Sequence, residues 1–189
     1  MSDKTLQGQA TSHHRILALD VRPHKFGFVV FEGPTQLLDW GVKSYATREN
    51  GFEVIVKKRI VRLLDMFVPF VVVLMRPVDS KNRGNGRFRR VLKTIREEVK
   101  PRSTSVCVVT RRAMRNFFLG YGCKTKHQIA TTLAEWFPEL NWKLPLKRKP
   151  WQSEDHRMSI FTAAALGVTY FAAKLDRAGL GLVADHKPR

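Results

Sequence analysis

Cysteine is scarce in this chain. Only Cys107 and Cys123 occur in 189 residues, far apart, so neither a disulfide framework nor a zinc-ligand spacing is supported. Long apolar runs are scarce too. The longest, 67–75, is broken by Pro69, and no run approaches the roughly 18 residues of a membrane span. The opening residues lack the charged-then-apolar order of a secretory signal, which leaves the cytoplasm as the expected location. Acidic residues are few: 16 Asp and Glu stand against 34 Lys and Arg, a formal net charge of +18. A surplus of that size calls for a polyanion, nucleic acid first and an acidic lipid surface second. The second is disfavoured, because no helical stretch sets an aromatic face against a lysine face.

What is present is unevenly spread. Between residues 81 and 149 there are 18 Lys or Arg and four acids, so most of the surplus sits in the second half. The length suits one domain, expected over 15–175, with polar tails at 1–14 and 176–189; His13 and His14 fall in the first tail.

The run 16–19 has the length and branching of a buried strand and ends in Asp20. A turn with Arg22 and Pro23 sends the chain back through 26–32, and Gly33-Pro34 turns it again into 36–45. Three such runs joined by short turns predict an antiparallel meander. The period then changes. Phe52, Ile55, Val56, Ile60, Leu63, Leu64 and Phe67 recur at helical spacing, which predicts an amphipathic helix over 48–67. The continuous apolar run 70–75 predicts a strand buried on both faces, followed by a loop, a helix over 87–100, another buried strand at 105–110 and a short helix over 111–119. After the break at Gly120-Tyr121-Gly122, Thr125 and Gln128 have the spacing of a capping box and open a helix to about 137. A basic loop, 138–150, leads to Ser153, Glu154 and Asp155, which are placed to start a long final helix with acids in its first turn. Strands separated by helices need crossovers and so run parallel. The order therefore predicts an α/β domain: a mixed five-stranded sheet, three antiparallel strands then two parallel, with helices on both faces.

A carboxylate in an apolar strand is costly to bury unless a cation or hydrogen-bond donors meet it. Asp20 is thus either a metal ligand or a strand-end residue capping a turn. By position alone, Glu154 and Asp155 are dipole-favoured first-turn acids and His156 a helix residue touching solvent. Arg83, Arg87, Arg89 and Arg90, around Gly84-Asn85-Gly86, make either a solvated face or a track for a phosphate backbone. Lys124 and Lys126 sit at a helix N-terminus, where free N–H groups favour phosphate. Phe117, Phe118 and Tyr121 are candidates for stacking or for the core.

In this order the residues resemble the RNase H-like nucleases, and within them the RuvC-type Holliday junction resolvases. The resemblance is carried by Ile16-Leu17-Ala18-Leu19-Asp20 with Phe26-Gly27-Phe28-Val29-Val30, and by the strand 71–75. It continues through 112–122 leading into 124–129, and through Glu154-Asp155-His156-Arg157-Met158 followed by Ala163, Ala164 and Ala165, spanning roughly 15–173. It implies an RNase H-like fold and a metal-dependent, structure-selective endonuclease cutting phosphodiester bonds in branched DNA, with RNA not excluded and a homodimer as the usual working form. It also implies Mg²⁺ or Mn²⁺ held by central carboxylates, since hard cations need oxygen ligands. Under it Asp20, Asp155 and Glu154 are metal ligands, and His156 joins them as a catalytic residue. Arg83, Arg87, Arg90, Arg111, Arg112, Arg115, Lys124 and Lys126 then face the nucleic acid.

The chain departs from that family at two of its four acids. Met75 stands at the end of the fourth strand and Met158 one helical turn after Asp155, and a thioether does not replace a carboxylate for Mg²⁺. No carboxylate falls anywhere in 70–76, and Asp79 in the next loop is a distant substitute. Two functions are therefore expected as alternatives: an endonuclease working with a reduced metal complement, or a catalytically inactive DNA- or RNA-binding module on the same fold.

Overall fold

The computed structural model describes residues 15–45, 52–76, 86–149 and 151–177, and of Arg87 the backbone alone. Arg83, Asp79, residues 84–85, the expected tail at 1–14 and all but the first two residues of the expected tail at 176–189 lie outside the described residues; Asp176 and Arg177 belong to the last helix. The elements run β1 (Arg15–Val21), β2 (Lys25–Glu32), β3 (Leu37–Ser44), α1 (Phe52–Phe67), β4 (Val71–Met75), α2 (Gly86–Val99), β5 (Ser105–Val109), α3 (Arg111–Gly120), α4 (Lys126–Trp136), a 3-10 helix (Pro138–Lys143) and α5 (Met158–Arg177). One mixed sheet has the order β3-β2-β1-β4-β5. The first three strands pair antiparallel, while β4 runs parallel to β1 and β5 parallel to β4. The expected architecture is present.

Strand alternation decides which side chains meet. In β1, Leu17, Leu19 and Val21 enter the apolar layer under α1 and α2, with Val72 and Leu74 of β4 beside them. Ile16 and Ala18 enter the opposite layer, with Val71 and Val73 and the apolar faces of α3, α4 and α5. The same parity places Asp20 and Met75 on the α5 side, and the Leu19–Leu74 pairing sets them at neighbouring strand ends.

Two glycines seat α5 against β2. A Cβ on Gly27, the residue paired with Asp20, would lie 2.3 Å from the backbone oxygen of Ser159. A Cβ on Gly167 would lie 2.3 Å from a ring carbon of Phe31. Only a residue without a side chain permits both approaches. The N-terminus of α5 is thereby held over the end of β1.

Three expectations need correction. The strand at 105–110 is not buried: β5 is the sheet edge, with a neighbouring strand on one side only, Val106 and Val108 are exposed, and within β5 only Val109 is buried. The final helix does not start at Ser153. It starts at Met158, and Glu154 and Asp155 precede it in a turn. There the carboxylate of Asp155 accepts the Arg157 N–H at 2.8 Å, and the carbonyls of Asp155, His156 and Arg157 accept the N–H groups three residues on. Local side-chain bonding of this kind competes with a helical first turn. Lastly, one helix does have the length and mean hydropathy of a membrane span, Met158–Asp176, but 72% of that window is buried inside the protein, mostly against β1 and β2 and the other helices of its layer. Its small residues Ala163, Ala164 and Ala165 let it lie close to the sheet.

Replacing Gly27 with alanine should lower stability by about 1–3 kcal/mol in chemical denaturation, since backbone must move to admit the methyl group. Gly120→Ala, at an exposed position with nothing within 4 Å of the added carbon, should leave stability unchanged or slightly raised.

Candidate functional site

The site is built where β1, β4, α3, α4 and the entry to α5 meet. Asp20 is 2% exposed, and nothing apolar can satisfy its carboxylate. The main-chain turn after β1 brings Arg22 back to it, two residues on and on the same side, and its Nε donates to Asp20 Oδ2 at 2.9 Å. Burial pushes the Asp20 carboxyl above its ordinary range. Arg22, the charge of Lys126 and the hydroxyl of Ser159 at the start of α5 act against that rise.

Lys126 opens α4, whose capping box at Thr125 and Gln128 forms as expected: the Thr125 hydroxyl accepts the Gln128 N–H, and the Gln128 carboxamide accepts the Thr125 N–H at 3.0 Å. The fixed helix start sets the ammonium towards Glu154. Its Nζ donates to Glu154 Oε1 at 2.6 Å, and its charge also acts on Asp20. Partial burial pushes the Glu154 carboxyl up, but Lys126, with Arg22 and Arg148 behind it, holds it below the ordinary value on balance. Asp20 and Glu154 therefore face the same ammonium.

Asp155 turns elsewhere. Its carboxylate takes a two-pronged contact from Arg157, with Nη2 to Oδ2 at 2.7 Å and Nε to Oδ1 at 3.1 Å, which holds its pKa down to about 2. His156 is exposed and lies 3.5 Å from Asp155 Oδ1. The pair Asp155 and His156 is thus engaged within its own turn, where Arg157 is the chief partner.

Beside this cluster lies a cavity of about 670 Å³. Its walls carry Arg22, Arg111, Arg112, Arg115, Lys124 and Lys126, and its floor is apolar, with Met75, Met114, Met158, Ile129 and Phe161. Among the described residues that line it there is no carboxylate. Five of the cations expected to face nucleic acid are gathered here. Thr110 positions three of them by capping α3, its hydroxyl accepting the Ala113 N–H at 3.0 Å. Arg90 is not among them. It lies on the α1–α2 layer, paired with Glu53 at 3.1 Å and set over the Phe52 ring at 4.8 Å. Phe118 is in the core; Phe117 packs with Phe118 and Tyr121, and Trp136 packs with the same two, so that the four form one aromatic cluster.

These residues do not fit a two-ion carboxylate centre. Met75 and Met158 present thioethers where hard cations need oxygen. One oxygen of Asp20 and one of Glu154 are already met by N–H donors, and among the described residues no three His, Cys, Asp or Glu side chains converge. Sequence reasoning named Lys126 only as a phosphate contact and Arg22 only as a turn residue. The signal for Arg22 was available: two residues beyond a strand-end acid, it shares that acid's side of an extended chain.

No protein-family profile and no curated protein matches the sequence. Solved structures do. The Thermus thermophilus RuvC structure, in complex with a Holliday junction substrate, superposes with a TM-score of 0.66 at 16% identity, covering 88% of this chain and 97% of that one. The yeast mitochondrial Holliday junction resolvase Ydc2 gives 0.58 at 10% identity, covering 91% and 86%. The fowlpox virus resolvase, in complex with Holliday junction DNA, gives 0.51 at 14%, covering 85% and 99%. The chain therefore has an RNase H-like fold. Within that class its strand and helix order is that of the RuvC-type resolvases.

The buried acid makes an asymmetric prediction. Arg22→Met, which strips Asp20 of its nearest cation, should destabilise by about 3 kcal/mol. Asp20→Asn, which removes the buried charge, should cost less than about 1 kcal/mol or stabilise. Because the folded carboxyl is raised, its contribution is fully present below the ordinary carboxylate range and lost as pH rises through the folded value. The wild type should thus gain on Asp20→Asn as pH falls from neutral towards 4, measured by urea midpoints across that range.

Proposed function

We propose that this chain is a nucleic-acid-binding protein of the resolvase fold that grips branched DNA in a cationic groove and does not cut it. The carrying observation is that Lys126 and Arg22 occupy the two carboxylates, beside a groove whose other walls are arginine and lysine. Fixed side-chain cations there meet phosphate directly, through charge-assisted hydrogen bonds to its oxygens. The apolar floor keeps the groove from supplying oxygen ligands to a hard ion. Support for DNA, and for branched DNA in particular, comes from the superposed resolvases, two of which hold Holliday junctions.

A second reading is favoured by one feature. The charge of Lys126 acts on both Asp20 and Glu154, so a ligand that drew the ammonium away would free Glu154 and leave Asp20 to Arg22 alone. This is the route by which an endonuclease dependent on Mg²⁺ or Mn²⁺ would arise.

A four-way junction and a linear duplex of equal length separate the two. The binding reading predicts preference for the junction and intact strands with either metal at high protein. Arg112→Gln and Arg115→Gln should each reduce the slope of log affinity against log salt by about 0.9. Nicks that need the metal and vanish in Asp20→Asn would establish the nuclease instead. Equal affinity for junction and duplex would remove the branched substrate.

A further inference from the structure

The segment between α4 and α5 carries the least explained surface of the molecule. Two of the four tryptophans lie on it, Trp142 at 68% and Trp151 at 78% exposure, while Trp40 and Trp136 pack against the core. Exposure of a side chain with so large an apolar area has a standing cost in water. Each of the two is accompanied by an ammonium: Lys143 Nζ lies 3.6 Å from the centroid of Trp142, and Lys149 Nζ lies 5.5 Å from that of Trp151.

Neither ring hangs on a loose chain. Trp142 is in the 3-10 helix. Trp151 sits in a turn closed by Lys149 N–H to the Gln152 carboxamide at 2.9 Å, by Gln152 N–H to the Lys149 carbonyl at 3.0 Å and by Arg148 to the Gln152 carbonyl at 2.7 Å. The segment is tied to α4 where His127 Nε2 meets the Pro145 carbonyl at 3.1 Å. It adjoins the groove, for its Glu154 pairs at 2.6 Å with Lys126 of the groove wall.

A fixed ring that carries a cation over one face and is otherwise largely exposed is complementary to a ligand that joins a π-face to an anion, and a nucleotide is such a ligand. A second copy of this chain would bring the same cations to the contact, at +18 each. Duplex bases are already stacked and offer no free face, whereas unpaired ones do. The geometry points to Trp142 and Trp151 as stacking platforms for unpaired bases, with Lys143 and Lys149 meeting the adjoining phosphates, so that the segment forms a single-strand site beside the groove. This deepens the nucleic-acid reading above and rests on it.

The test uses the full-length chain, with tryptophan fluorescence and anisotropy titrations against a thymidine oligonucleotide, a duplex of equal length and a four-way junction. The oligonucleotide should quench the wild-type emission. Trp142→Leu and Trp151→Leu should each weaken its binding about tenfold, with duplex affinity unchanged within about twofold. Both rings are exposed, so the variants should keep the wild-type circular dichroism spectrum. Unchanged single-strand binding in the double variant, with junction binding intact, would overturn the stacking site and leave the groove reading standing. So would a parallel loss on duplex and single strand, a self-association lost in the double variant without effect on single-strand binding, or quenching by anionic vesicles and not by the oligonucleotide. If the wild type binds none of the three nucleic acids, both readings fall.

Discussion

A carboxylate closed off from water at the end of a central strand has to be met by positive charge, and the surroundings of Asp20 follow from that requirement. Isolated, such a group would lose most of its hydration and would protonate or unfold its strand. Here the cation is a side chain, Arg22, supported by a second, Lys126, which also holds Glu154. The same electrostatic need can be met by a bound metal or by a guanidinium and an ammonium. Which of these is used decides whether the site is built for chemistry or for grip.

The rest of the fold delivers the pieces to that point. Strand parity sends Asp20 and Met75 to the α5 side of the sheet, and the parallel β1–β4 pairing makes them neighbours. Gly27 and Gly167 allow α5 to lie against β2, which brings Ser159 and the turn before it over the acid. The capping box at Thr125 fixes where α4 starts and hence where Lys126 points. With Met75 and Met158 in the floor, the remaining polar wall is cationic, and a surface that would attract cations in one composition attracts phosphate in this one.

Much of this was legible in the residues. The 16–19 and 71–74 runs, the helical spacing of 52–67 and the Thr125–Gln128 box each specify an element by local chemistry, and each is found close to its expected bounds. That methionines stand at 75 and 158 and that no carboxylate falls in 70–76 was also plain, since it depends only on residue identity. What was not legible depends on contacts remote in sequence. The partner of Glu154 lies 28 residues away in Lys126, and the diversion of Asp155 to Arg157 depends on a turn that residue types alone describe equally well as a helix start. Similarly, β5 reads as a buried strand because nothing in 105–109 says which side of the sheet is left uncovered.

The claim that side-chain cations stand where divalent ions would otherwise sit can be tested without any nucleic acid. Manganese titrated into the purified protein and followed by electron paramagnetic resonance should stay free into the millimolar range, with the wild type and Asp20→Asn giving the same signal. Saturable binding of one or two ions at micromolar concentration, lost in Asp20→Asn, would contradict the account.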